Sequence, residues 1–581
     1  MYCEDEYSVY KKKDIKNLKI RLEDLQFQLQ QQLQQQKQFQ AQLQRQEQNQ
    51  AQVQNDTDTI SNVGNPTINV NVASNPDHKK DRERHHKKQD DCCSSHKKDV
   101  VRCNPKNKEK QVNNPADDII NFPRITQSET SLAHFKDFIL YGFNDSNDYR
   151  GGLGSQSFSG FAFSNNLGKT WTDGGSLPVN PGGTNEGDPV IAVDRNGVFY
   201  YGQVGGEVIG GRLEGVITVS TGTISASKTI TMNRPQIVGR GQNPARSNPG
   251  DQDKEWITVG PDANNPENEA LYIVWTDFTA PTNPNIRFSK FRTGVNLTPI
   301  IQNQNIVVGN TVRVTGSYVL VDKRGIIYVF YEETTGGFAG FQTLGQPNRT
   351  IRMVKSIDGG NTFPINVAVS APFAAAATTT SPCNRPSIGV DNSRQIRMNE
   401  FPQAAVGPDG TIYVVWNAGR VVGNTTFIDT FLAYSQNEGV SWTQINVTNN
   451  IAYSFFPSVA VNNKGAHIQY NRFNDPNNVG GLGDGTFGIF MKSFSLKTGL
   501  SKECMVSTQF SPIPVTNPNP DAAQCYMGDY NQVISGPGDC LLHAWGDNRN
   551  RLNGRDNPDV YFALTTSKKE HNCCCDKKED I

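Results

Sequence analysis

The chain has 581 residues, too many for one ordinary hydrophobic core, so it is either several domains or one large repeat array. Its 56 basic and 57 acidic residues nearly cancel, which removes any whole-chain case for a nucleic-acid partner. No run of 18 or more apolar residues occurs, so no membrane span is expected.

Taken in chain order, the N-terminus lacks an apolar stretch followed by a small-residue cleavage site, so no classical secretory signal is expected. Residues 1–55 are dominated by glutamine, with Leu18, Leu22, Leu25 and Leu29 at alternating steps of four and three. That spacing predicts a short, coiled-coil-prone helix through which the chain self-associates. Residues 56–121 are rich in Lys, His and Asp and hold few large apolar side chains, which predicts a disordered linker. Cys92 and Cys93 lie in this linker, and Cys573, Cys574 and Cys575 lie in the C-terminal tail, 568–581. Adjacent cysteines in polar tails cannot staple a core, so they suit disulfides between chains. The partners of Cys383, Cys504, Cys525 and Cys540 are not readable from spacing.

Between the tails, residues 122–567 repeat one pattern: an apolar strand, a turn rich in Asp, Asn or Gly, then a second strand ending in an aromatic and a polar residue. The copies span 129–145, 188–203, 254–277, 316–333, 401–418, 456–472 and 528–549. Seven such units predict an all-β fold, a seven-bladed β-propeller of four-stranded blades, with six blades as the alternative count. Trp275, Trp416 and Trp545 close second strands and are large enough to fill the gap between neighbouring sheets.

A second motif runs through the same region, S-x-[DN]-x-G-x-[ST]-[WF]. Its copies are Ser164, Asn166, Gly168, Thr170 and Trp171; Ser356, Asp358, Gly360, Thr362 and Phe363; and Ser435, Asn437, Gly439, Ser441 and Trp442. The Asn or Asp oxygen can accept backbone hydrogen bonds across a turn, the Gly can take the left-handed conformation, and the aromatic can fall back onto the sheet. The motif therefore reads as a structural fastener between a third and a fourth strand.

These turns look like Asp boxes, and the repeats resemble the sialidase-like, BNR-repeat β-propeller proteins. The resemblance implies that the boxes lie on the face away from the active site. It also implies an acid-sugar glycosidase scheme: a Tyr nucleophile with a Glu partner, an Asp acid/base and three arginines on the sugar carboxylate. Asp188, Tyr530, Arg472 and Arg549 are the residues cast in these roles.

Propeller geometry puts the functional face where first strands begin and second strands end. Glu186, Asp188, Asp251, Asp253, Glu255, Glu400 and Asp529 precede or open first strands, giving a carboxylate-rich rim. Such a rim suits glycoside hydrolysis, glycan binding or calcium, while no cofactor is required and the metal remains unassigned. The cysteine-dense tails resemble those of bacterial spore coat and exosporium proteins. Together these readings predict a spore-surface propeller that binds glycans or other surface-layer proteins, with an exo-α-sialidase or related glycosidase as the alternative.

Overall fold

The computed structural model describes residues 103, 109–149, 156–391, 393–449, 452–477, 479–515 and 524–566. The expected leader helix and the cysteines at 92, 93 and 573–575 lie outside these residues.

Seven sheets, antiparallel except where Gln156–Ser157 pairs in parallel with the first strand of blade 2, carry the repeats. Blade 1 is Gln127–Phe135, Phe138–Asp145, Ser159–Ser164 and Thr172–Ser176. Blade 2 starts with Thr184–Val193, Val198–Ile209 and Arg212–Ile224, whose outer edge pairs with both Ile230–Met232 and Gln236–Arg240. Blade 3 is Gln252–Asp262, Asn265–Asp277, Asn285–Arg292 and Thr298–Val308. Blade 4 is Val312–Val321, Ile327–Thr335, Arg349–Ser356 and Ile365–Ala368. Blade 5 is Gln403–Val406, Ile412–Val422, Thr425–Ser435 and Thr443–Asn446. Blade 6 starts with Ser454–Asn462, Gly465–Phe473 and Thr486–Ser495, edged by three two-residue strands. Blade 7 has Gln532–Ser535, Cys540–Leu552 and Arg555–Thr566.

Each first strand touches the first strand of the next blade, and that of blade 7 touches that of blade 1, so the seven form a closed ring. The ring leaves only the short inner edges of the first strands at the channel, where neighbouring blades protect them. Trp275, Trp416 and Trp545 are fully buried. Trp275 meets Gly239 of blade 2, Trp416 clusters with Tyr328 and Phe330 of blade 4, and Trp545 with Phe455 and Phe487 of blade 6. Each tryptophan thus fills the gap towards the preceding blade.

The boundary expected at residue 122 falls inside the fold. Lys110–Gln111 pairs with Arg555–Thr566 as the outer strand of blade 7, so the N-terminal side of the chain closes the ring. Asn113 and Asp118, the latter on the helix Pro115–Asn121, are buried against Asp559 and Asn557. A disulfide from Cys103 to Cys504 ties the same segment to blade 6. Two residues are too short a strand to show alternation, and the flanking polar residues mimic a linker.

The three Ser-x-[Asn/Asp]-x-Gly turns join third to fourth strands and share one hydrogen-bond plan. The Ser hydroxyl accepts the Gly amide at 2.8, 2.9 and 2.9 Å, and the Asn or Asp oxygen accepts the amide of Thr170, Thr362 or Ser441 at 3.0, 3.0 and 2.9 Å. Gly168, Gly360 and Gly439 have φ of 76°, 99° and 82°, in the left-handed region. The aromatic reaches across to the preceding blade: Trp171 to Phe562, Phe363 to Phe288 and Trp442 to Phe330. The turn therefore fastens blade to blade as well as strand to strand. Trp442 is half-buried, so Trp442→Ala is expected to cost about 2 kcal/mol, below the ~3–5 kcal/mol of a fully buried aromatic. Urea unfolding measures it, and an unchanged midpoint would remove the inter-blade role.

Candidate functional site

The site is built by irregularities at the start of the first strands. In blades 1, 2, 3, 4 and 6 the pairing register slips just inside the channel mouth. Glu129, Asp188, Lys254, Gly316 and Phe456 occupy these bulges, with φ of 51°, 59°, 50°, 67° and 50°. A bulge bends its strand and re-aims a side chain, and a non-glycine residue in this conformation costs on the order of 1–3 kcal/mol. Four such residues in corresponding places are strain that the surrounding packing holds at one spot.

Glu129, Asp188, Asp253, Glu255 and Asp529 converge there. The Asp188 carboxyl faces those of Glu129 and Asp253 closely enough for their charges to act on it. Burial, then the charges of Glu129, Asp253 and Glu255, push Asp188 well above the ordinary carboxylate range. Burial also raises Glu255 strongly, and neither of its carboxyl oxygens has a partner. Burial therefore biases both Asp188 and Glu255 towards the protonated form.

Asn144, at the end of the second strand of blade 1, organises the pocket floor. Its Nδ2 donates to Glu129 Oε2 at 3.0 Å and to the Tyr526 hydroxyl, while its Oδ1 accepts the Asp188 amide at 2.8 Å. Arg397 makes two hydrogen bonds of 2.9 Å to Asp529, lies 3.7 Å from Glu129, and stacks 4.5 Å from the Tyr526 ring centre. Burial, then Glu129, pushes the Tyr526 phenol far up, so it is neutral.

Above this floor is a hollow of about 280 Å³ into which three arginines point: Arg313, Arg385 and Arg397. Arg313 stacks 4.3 Å from Phe341, and its Nη1 is buried without a partner. Arg385 donates to Asn399 Oδ1 at 3.1 Å and keeps an unpartnered buried Nε. Phe278, Phe338, Phe341 and Phe401 rim the hollow, and the Phe338 ring is 67 % exposed. Arg385 and Arg397 flank and close a small hairpin, Ser387–Gly389 with Gln395–Arg397, inserted between blades 4 and 5. The Cys383–Cys525 disulfide and the Arg397 amide bonded to the Cys525 carbonyl at 3.0 Å tie this hairpin to the segment bearing Tyr526 and Asp529.

Of the residues cast from sequence, Asp188 lines the hollow. Tyr530 lies beneath it, with its hydroxyl donated to the Pro189 carbonyl at 2.9 Å and its ring 4.2 Å from the buried Lys254 ammonium. That hydroxyl is committed to holding the floor. Arg472 and Arg549 are elsewhere. Arg472 pairs with Glu503 at 2.9 Å over the Phe490 ring, and Arg549 pairs with Glu109 and Asp547 over Tyr561. Sequence reasoning missed Glu129, Asn144, Tyr526, Arg313, Arg385 and Arg397. Glu129 and Arg313, at the start of first strands, and Asn144, at the end of a second, obey the repeat rule that could have found them. Among the described residues no group of three or more His, Cys, Asp or Glu is arranged to hold a metal ion, and no helix is long and apolar enough to cross a membrane.

No family model and no curated protein matches the chain. Solved structures similar to it include a protein of unknown function from Dyadobacter fermentans, at 12 % identity and a TM-score of 0.37, covering 80 % of this chain and 99 % of that one. Trypanosoma rangeli sialidase is similar at 10 % identity and a TM-score of 0.36, covering 76 % and 55 %. A GH93 α-L-arabinofuranosidase of Fusarium graminearum is similar at 8 % identity and a TM-score of 0.38, covering 80 % and 97 %. No side chain is assigned from these similarities. The seven-bladed architecture stands on the strand pairing of this chain itself.

Proposed function

We propose that the channel mouth is a recognition site for a glycan carrying a carboxylate-bearing sugar. The observation that carries this is the convergence of Arg313, Arg385 and Arg397 on one aromatic-rimmed hollow, two of them with buried N–H groups unpartnered. Guanidinium groups pair with carboxylates through parallel hydrogen bonds, and the exposed Phe338 ring offers a flat apolar face to a sugar ring. Calorimetry with N-acetylneuraminic acid, galacturonic acid and galactose tests it: the acid sugars bind, galactose does not, and Arg385→Lys weakens the acids about tenfold. Equal binding of acid and neutral sugars, or binding of none, overturns the proposal.

A second reading, hydrolysis of that sugar's glycosidic bond, is favoured by the buried Asp188 carboxyl, pushed well above the ordinary carboxylate range, beside Glu129 and Tyr526. A carboxylic acid kept neutral at pH 7 can protonate a leaving oxygen, while Tyr526 and Glu129 provide a group to stabilise the sugar carbon. Release of fluorophore from a sialoside or uronide that falls about 100-fold or more in Asp188→Asn supports it. Binding without release leaves recognition as the function.

The same proposal places the protein in a bacterial spore surface layer, joined to neighbours through Cys92, Cys93 and Cys573–Cys575. Its support is the density of cysteines in polar flanks. Replacing Cys573, Cys574 and Cys575 by Ser is expected to remove thiol-sensitive multimers on non-reducing gels while leaving thermal unfolding unchanged. Identical gels for mutant and parent would end this reading.

A further inference from the structure

We infer that the glycan bound is an oligosaccharide, with the sugar next to the carboxylate-bearing one held in a second hollow on the same face. This inference rests on the recognition site proposed above. The second hollow, of about 400 Å³, lies between the loops of blades 2 and 3, and Phe278 belongs to the walls of both. One aromatic ring thus separates two adjoining spaces, as a platform under a glycosidic linkage would. The central hollow alone falls near the lower end of the roughly 300–1,000 Å³ typical of small-molecule sites, and the pair offers room for more than one ring.

The wall is a built one. Asp277, fully buried, accepts the Gln242 amide at 2.5 Å, the Thr279 amide and hydroxyl at 2.9 and 2.6 Å, Gln252 Nε2 at 3.0 Å and Arg287 Nη1 at 3.1 Å. The Phe278 amide donates to the Asp251 carbonyl at 3.0 Å. One carboxylate therefore pins both loops that face the second hollow. At its edge Arg246, exposed on the short turn Pro244–Arg246, has no ion-pair partner among the described residues. Its guanidinium is free to meet a hydroxyl or carboxylate of the second sugar.

The test is calorimetry on the full chain with galacturonic acid against trigalacturonic acid, and with N-acetylneuraminic acid against 3′-sialyllactose. In at least one pair the longer ligand is expected to bind about tenfold tighter, and Arg246→Ala to bring that ratio towards one. Monomers that bind as tightly as their oligomers overturn the second hollow and leave the recognition site standing. A length preference indifferent to both Arg246→Ala and Gln242→Ala overturns its assignment to this place. Failure of every ligand to bind overturns both proposals together.

Discussion

Arg349→Met is expected to destabilise the propeller by about 3–5 kcal/mol, the cost of breaking a buried ion group by removing one partner. Arg349 is fully buried, with Nε 3.1 Å from Glu400 and 3.7 Å from Glu332, and both carboxylates are fully buried as well. Its Nη2 donates to the Phe341 carbonyl at 2.7 Å and its Nη1 to Asn348 Oδ1 at 2.8 Å. Methionine fills much of the volume but leaves two carboxyl groups facing each other without a cation. Protonation can soften the loss, since burial already raises Glu400 to about 7. The variant is therefore expected to suffer most above pH 7, and Glu332→Gln in the same chain to restore part of the stability. Because Phe341 and Phe338 sit on the helix Gly337–Gln342 that Arg349 anchors, sugar binding should weaken too. A urea midpoint within error of the parent at pH 8 would refute the argument.

The second large effect is an increase in stability on mild acidification. Burial raises Asp145 and Glu400 to about 7, and burial with the charge of Asp559 raises Asp118 to about 7. A group whose folded value exceeds its unfolded one binds the proton more tightly when folded, so its contribution is full below the unfolded value near 4 and is lost as pH rises through 7. Burial acts oppositely on the packed His467 and His543, held at about 4 and about 3. Their contribution is full above 6.5 and is lost as pH falls through those values. Between pH 8 and 6.5 the carboxyl groups dominate, each contributing about 1 kcal/mol. Thermal unfolding should thus occur a few degrees higher at pH 6.5 than at pH 8, with the gain shrinking below pH 5 as the histidines oppose it. A melting temperature that falls steadily from pH 8 to 6.5 would show that these carboxyl groups are ionised in the folded protein.

The blades were legible because their signal is local. First strands are short apolar runs, second strands end in a large aromatic, and the Ser-x-[Asn/Asp]-x-Gly turn needs each of its residues for a hydrogen bond or a left-handed φ. The rule that first-strand starts face the channel also located Asp188, Asp253, Glu255 and Asp529. It failed for Arg472 and Arg549 because the end of a strand fixes height in the propeller but not the face. Arg472 turns towards Glu503, and a register slip between Asp547 and Asn550 delivers Arg549 to Glu109. Arg385 and Arg397 were illegible for another reason. Their hairpin has no counterpart in the other blades, and a disulfide between cysteines 142 residues apart brings it to the segment bearing Tyr526.

The pairing of Lys110–Gln111 with the last strand also makes blade 7 a joint between the two ends of the fold. Thr566 sits beside Cys540, at the turn end of blade 7, and Lys110 lies opposite Phe562 on the same strand. The last blade is completed by residues from the far end of the sequence, and the Cys103–Cys504 disulfide holds their lead-in against blade 6. Without Lys110–Gln111 the outer edge of Arg555–Thr566 would stand unpaired, an open template for another strand.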